Sequence, residues 1–455
     1  MKEKTKTEGY LFDNRALRAL IIPLLLEQLL NVAVGMADSV MVASVGEAAV
    51  SGVSLVDNVF ILLIQVLTAL GTGGAVIIGQ YLGSRDSGGA RKAAGQLIVF
   101  LLCFSLVIMG LVYLGQDFIL RGVFGAIADD VYGHARTYLM ICAASIPGIA
   151  LYSGAAAVFR VQGDSRTPMR VALMMNAINV TGNAILIYGC HFGTAGVAIP
   201  TLVSRSAAAV AGMVLLTRRD KEVYVRPSAR FRFDGGMIKR IMGIAVPNGV
   251  ENSLFQIGKL VVLNLITTFG TTAIAANAVS MDIANFAILP GVSIGYAMVT
   301  VISQCVGAGD EAQTRYYTRK LMFIAYAAMW GINVLIFIFM PQIIGLYHLS
   351  AGTAHTAALI TATHSGMAMV IWPIAFTLPN NFRAKGNALF PMVVSIASMV
   401  FVRILFCYIF AVGFGLGVWG TWIAMILDWV VRTVAFIIYY FKGNKMHRSV
   451  LPARD

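Results

Sequence analysis

The stretch PLLLEQLLNVAVGMADS, residues 23–39, is apolar enough to enter a bilayer and yet holds two carboxylates, Glu27 and Asp38. Its opening recurs: Pro247 and Glu251 repeat Pro23 and Glu27 at a displacement of 224 residues. The same displacement pairs Gly46 with Gly270, Ala49 with Ala273, Gly71 with Gly295, Gln80 with Gln304, Gly83 with Gly307, Asp86 with Asp310 and Arg91 with Arg315. Farther on one residue is deleted, and Arg160, Gly163, Pro168 and Met169 match Arg383, Gly386, Pro391 and Met392. Gly193 and Gly196 then match Gly417 and Gly420 at 224 again. A register kept this long marks an internal duplication, with an N-terminal lobe over 1–222 and a C-terminal lobe over 223–455.

Composition says what solvent the lobes live in. Of 455 residues 58% are hydrophobic and 12% charged, with a mean hydropathy of +0.79, whereas soluble domains carry about 25% charged residues. Apolar runs follow one another at the length needed to cross roughly 30 Å of hydrocarbon. They lie near 16–44, 49–80, 93–115, 134–158, 168–189 and 193–217, then 238–268, 271–304, 317–340, 355–382, 388–411 and 417–441. The expected fold is an all-α membrane protein of about twelve transmembrane helices in two pseudo-symmetric six-helix bundles.

The formal charge of +13 would point to nucleic acid in a soluble protein, but here it falls in short loops. One side receives Arg15, Arg18, Arg85, Arg91, Lys92, Arg160, Arg166, Arg170, the stretch Arg218 to Arg240, Arg315, Arg319, Lys320, Arg383, Lys385 and the tail from Lys442; the other receives only Arg121 and Arg136. The positive-inside rule then places both termini in the cytoplasm, in a multi-pass inner-membrane protein. The basic linker Thr217 to Lys239 reads as a topogenic, lipid-facing feature. No cleavable signal is legible before Arg18. The cysteines Cys103, Cys142, Cys190, Cys305 and Cys407 show neither a disulfide framework nor a metal spacing, and His191, His348, His355 and His364 are equally scattered.

An ionisable side chain at membrane depth is costly, so it faces a cavity or a partner. Glu27 and Asp38, eleven residues apart, return to one helix face at 100° per residue. Asp57 enters from the next span at a depth similar to Asp38. In the second lobe Glu251, Lys259 and Asp282 read as a charge-balanced cluster lining a cleft, or as a static ion-pair network. Asp428 and Arg432 are spaced to neutralise each other on the last helix. Arg205 and Arg403 have no assignable partner in the sequence.

These residues resemble the multidrug and toxic compound extrusion (MATE) transporters. The resemblance rests on GMADSVMV around Asp38, on the Gln80–Gly83 helix end, and on RVQGDSRTPM from Arg160 to Met169. It implies an outward-opening V of two six-helix lobes, and export driven by inward proton or sodium flow. The DinF-like branch of that family implies a cation site, which falls on Asp38, Asn179, Asn183 and Thr201. Asn183 departs from the pattern, which has Asp there, so proton and sodium both remain open as the coupling ion. Another branch carries acids at positions that are Phe255 and Trp372 here, so that mode of coupling is not expected.

The expected function is a cation-coupled antiporter exporting small cationic or amphipathic organic compounds from the cytoplasm. Its expected partners are that substrate and membrane lipid, with no nucleic acid, no cofactor beyond H+ or Na+, and a monomeric state. Glu27, Asp57, Glu251, Lys259 and Asp282 are candidates for a substrate cavity or secondary coupling. Competing readings are a flippase of lipid-linked oligosaccharide, an exporter of an endogenous metabolite, and a membrane-embedded enzyme. The last lacks a credible nucleophile elbow or histidine pair. No Walker-type sequence is present for direct use of ATP.

Overall fold

Helix ends explain much of the architecture. The computed structural model describes residues 10–123, 128–226 and 232–442; Arg230 and the basic tail beyond Lys442 lie outside them. The first helices are α1 (Asn14–Ala43), α2 (Glu47–Gly83) and α3 (Ser87–Leu114). Gly46 turns α1 into α2 at φ 134°, a conformation that L side chains rarely adopt. Asp86 caps α3 by accepting from Gly89 N at 2.8 Å, satisfying one of the orphan donors of a helix start.

The duplication reproduces both devices. Helices α4 (Asp129–Ala143), α5 (Ile146–Val161), α6 (Arg166–Ala184) and α7 (Ala195–Leu216) complete the first set, and α8 (Gly235–Thr267), α9 (Thr271–Gly307) and α10 (Glu311–Gly345) open the second. Gly270 turns α8 into α9 at φ 89°, and Asp310 caps α10 by accepting from Gln313 N at 2.8 Å. Two of the repeated pairs, Gly46 with Gly270 and Asp86 with Asp310, are therefore residues that stop and restart helices.

The remaining helices are α11 (Ala351–Val370), α12 (Pro379–Ala384), α13 (Leu389–Ser398), α14 (Leu405–Tyr408) and α15 (Gly417–Lys442). Among the described residues nine helical segments are long and apolar enough to cross a membrane, and eleven if two bent pairs each count once. The bends are 49° between α4 and α5 and 64° between α11 and the segment Pro373–Ala384. Pro147 and Pro373 sit at these breaks, each removing a helical N–H. The remaining expected span, 238–268, the seventh in chain order, is helical as α8. It falls short on apolarity because Asn248, Glu251, Asn252, Gln256 and Lys259 occupy it.

Two compact units divide the chain. One runs from Phe12 to Ala245; the other begins at Val246 and is joined by Tyr10 and Leu11. Residues 223–245 thus keep company with the first unit, and the linker shows why. Gln162 brackets Val223, donating to its carbonyl at 3.0 Å and accepting from its N–H at 2.9 Å. Gln96 likewise donates to Arg232 O at 2.7 Å and accepts from Asp234 N at 3.0 Å. Lys221 pairs with Asp164 at 2.8 Å and Lys92 with Asp234 at 2.6 Å. The described parts of this stretch, up to 226 and from 232, form a docked strap, held by groups that a purely lipid-facing linker would not have.

The carboxylates of the two ion pairs, Asp164 beside the strap and Asp234 within it, are tuned by these bonds. Burial works to raise Asp164, but hydrogen bonds from Lys221 and Thr167 outweigh it and hold the carboxyl below its ordinary value. The Lys92 bond, aided by the Met237 N–H, does the same at Asp234.

Candidate functional site

Three helices of the first unit bring oxygen and amide groups to one place. Asp38 comes from the last turns of α1, Asn179 and Asn183 from α6, and Thr201 from α7. Gly182 lets α6 and α7 approach, since a Cβ there would lie 2.8 Å from Pro200 Cβ. Thr201 follows that proline and anchors its own hydroxyl on Val197 O at 2.9 Å. Asn183 is fully buried and donates to Asp38 Oδ1 at 2.7 Å.

Asn179 lies between Asp38 and Thr201. With its nitrogen turned to Asp38 it donates to the two carboxylate oxygens at 2.8 and 3.1 Å, while its oxygen accepts from Thr201 at 3.1 Å. Asn179 thus places its donors on the carboxylate and its acceptor toward the Thr201 hydroxyl.

Around this group lies a cavity of about 240 Å³, lined by Asp38, Asp57, Tyr138, Asn176, Asn179, Thr201, Ser204 and Arg205 among others. Tyr138 donates to Asp57 Oδ1 at 3.1 Å. Arg205 donates to Ser145 Oγ at 3.0 Å and lies 5.4 Å from the Phe60 ring centroid. Asn176 Nδ2 and Asn183 Oδ1 are buried without a hydrogen-bond partner, an arrangement usually reserved for groups with work to do. Two carboxylates against one guanidinium leave the cavity with one negative charge in excess. One monovalent cation would balance it.

Sequence reasoning reached Asp38, Asp57, Asn179, Asn183 and Thr201 but not Arg205, Tyr138 or Asn176 as partners. Asn176 was legible in principle, being three residues before Asn179 on the same helix face. The other two depend on how α4 and α7 pack, which a local pattern does not carry.

The remaining candidates go elsewhere. Glu27 is buried and bound to Arg160 and, at 3.3 Å, to Tyr152. Glu251 is bound to Arg383 at 2.6 Å and accepts from Ser395 at 2.8 Å. Lys259 lies 5.2 Å from the Phe255 ring centroid, and the exposed Asp282 accepts from Tyr347 at 3.5 Å. Glu251, Lys259 and Asp282 therefore do not form one charge-balanced cluster, because Glu251 has its own guanidinium. Asp428 and Arg432 do pair, at 2.9 Å. No group of three or more metal-ligating side chains of the His, Cys, Asp and Glu type occurs among the described residues.

Comparison with known proteins follows the same lines. The MatE family model matches residues 23–185 and again 247–409, so the family's unit falls once on each half of the duplication. Over 446 residues the chain is 25% identical to a probable multidrug resistance protein NorM of Thermotoga maritima, covering 95% of this chain and 93% of that one. It is 26% identical over 428 residues to the uncharacterized transporter YisQ of Bacillus subtilis, covering 92% of each. A solved structure of a multidrug resistance MATE family transporter of the MOP superfamily, in an outward-facing conformation, superposes with a TM-score of 0.87 at 22% identity over 95% of both chains.

Proposed function

The chain belongs to the MatE family, and from that premise we propose that it exports small organic compounds in exchange for a proton or sodium ion taken up at Asp38. It is a multi-pass membrane protein of the MATE multidrug efflux transporters, and not an enzyme. The reading of the site is carried by one observation: Asp38, bonded by Asn179 and Asn183, lines a cavity whose acids outnumber its bases. The cavity of about 240 Å³ is smaller than the ~300–1,000 Å³ that holds a drug-sized ligand. It suits a cation and its coordinating groups, with the substrate bound at another time or place.

The exchange follows from charge. An empty cavity with one excess negative charge in low dielectric attracts a proton or sodium ion, and filling it changes what the Asn179 and Asn183 amides on Asp38 must satisfy. Cation and conformation are then linked through α1 and α6, and a ligand that prefers the other conformation competes. Relatives named for multidrug resistance support organic compounds as the exported class. The lysine and arginine distribution supports an inner-membrane protein with both termini in the cytoplasm.

Proteoliposomes with an imposed pH or sodium gradient and a panel of cationic dyes test this. We predict that Asp38→Asn folds and loses gradient-driven export. Counter-gradient export by that variant would remove the assignment. A sodium requirement at constant pH would select sodium over the proton.

A further inference from the structure

The second unit holds a cluster of the opposite sign. Lys259 Nζ, Arg403 Cζ and Arg432 Cζ lie 5.2, 5.4 and 5.1 Å from the centroid of one ring, Phe255. Among the described residues one carboxylate, Asp428, joins them; its Oδ1 is taken by Arg432 Nε at 2.9 Å and by the Ser398 hydroxyl. Arg432 also donates to Ser395 O at 3.1 Å, so its own donors are well used. Among the described residues neither Lys259 nor Arg403 has a carboxylate within 4.0 Å. Arg403 is 4% exposed, and its Nε and Nη1 have no hydrogen-bond partner. Three cations against one anion leave two positive charges in an apolar interior.

The internal repeat gives this cluster a position. At a displacement of 224 residues Lys259 corresponds to Gly35 and Asp428 to Ser204, while Arg403 falls on Asn179 or its neighbour Val180. Gly35, Asn179 and Ser204 all line the cavity of the first unit. The duplicated fold thus keeps a polar centre at the equivalent place and inverts its charge. Arg403 itself lies in a π-helical turn, Met399–Ile404, the kind of irregularity that recurs at functional sites.

Beside the cluster is a cavity of about 110 Å³, lined by Phe255, Gly258, Val261, Met399, Val400 and Ile404 among others. Its walls are largely hydrocarbon; the Glu251 carboxyl also lines it but is held by Arg383 and Ser395, and Lys259 and Arg403, which share the Phe255 ring with it, have no carboxylate partner among the described residues. That combination matches a molecule with an anionic head and an apolar body. We propose that Lys259 and Arg403, backed by Arg432, bind a small amphipathic carboxylate whose head meets the unpartnered donors and whose apolar part enters the adjoining cavity. This site does not depend on the role assigned to Asp38.

Isothermal titration of the full chain in non-ionic detergent, with octanoate as the probe at constant sodium and ionic strength, tests the proposal. Saturable one-to-one binding of octanoate is expected, with none for octanol, which has the same tail and no charge. Lys259→Gln and Arg403→Gln should each weaken binding at least tenfold, and Arg403→Lys should retain part of it. Lys259 is only partly buried, so its variant carries the test should Arg403→Gln fail to fold. Acetate, which has the charged head and no apolar body, should compete only weakly, and competition by acetate at the affinity of octanoate would overturn the role given to the adjoining cavity. Equal heats from octanoate and octanol, no octanoate binding, or parental affinity in Lys259→Gln would overturn the proposal.

Discussion

Asp38, Asp57 and Arg205 line one cavity, and the guanidinium decides how many cations the two carboxylates can hold. Arg205 is tied to Ser145 and the Phe60 face, so it acts as a fixed charge in the wall. Replacing it with glutamine leaves two negative charges where there was one in excess. We predict that Arg205→Gln binds the coupling cation about tenfold more tightly, equivalent to about 1.4 kcal/mol, and releases it more slowly. The cation dependence of dye export in proteoliposomes checks this: half-maximal activation should move to lower cation concentration while the maximal rate falls. An unchanged dependence would mean that Arg205 is electrostatically remote from the site. Asn179→Leu removes the amide that donates to both Asp38 oxygens, so export should become insensitive to the imposed gradient even though Asp38 is intact.

Helices carry the next level of argument, because α6 delivers its amides only if it can lie against α7. Gly182 sits at that contact, and a Cβ there would come within 2.8 Å of Pro200. Forcing the helices apart in a packed interior costs about 1–3 kcal/mol. Gly182→Ala should therefore lower the thermal unfolding midpoint and, by displacing Asn183 from Asp38, reduce cation affinity as well. Each lobe is also tied internally by an ion pair, Glu27 with Arg160 and Glu251 with Arg383. All four residues lie on the duplicated register. Removing one partner of a buried pair leaves the other charge stranded, at about 3–5 kcal/mol. Glu251→Leu should be strongly destabilised in a detergent melt, and adding Arg383→Met should restore most of the loss. A double variant no more stable than the single would show that Arg383 is held by something other than Glu251.

Across the whole chain, the sequence was most informative wherever a residue's role is local. Gly46, Gly270, Asp86 and Asp310 turn or cap a helix through their own backbone and side chain, so their recurrence announced the duplicated architecture. Asp38 and the α6 asparagines could be brought together only through family resemblance, and Arg205 and Tyr138 not at all, since their meeting depends on the packing of separate helices. The pairing of Glu27 with Arg160 left a usable signal that local reading overlooked: both partners recur in the second half. The strap from 217 to 239 was hidden for a different reason. Its basic residues satisfy the rule for cytoplasmic loops whether or not they are docked, so charge counting cannot distinguish the two states. Docking does, however, make a pH-dependent claim. Asp164 and Asp234 are held below their ordinary value by Lys221 and Lys92. A carboxylate depressed in the docked state contributes above the unfolded value of about 3.9, and its contribution is lost as pH falls through the docked value. The strap should accordingly stay protected at neutral pH and loosen only below about pH 4. Hydrogen exchange of the Val223 and Asp234 amides, which bond Gln162 and Gln96, reads this out. Asp164→Asn should remove the Lys221 attachment and raise the exchange at Val223 at neutral pH. Exchange at these amides that is as fast at pH 7 as at pH 3.5, after correction for intrinsic rates, would mean that the strap is not docked in solution.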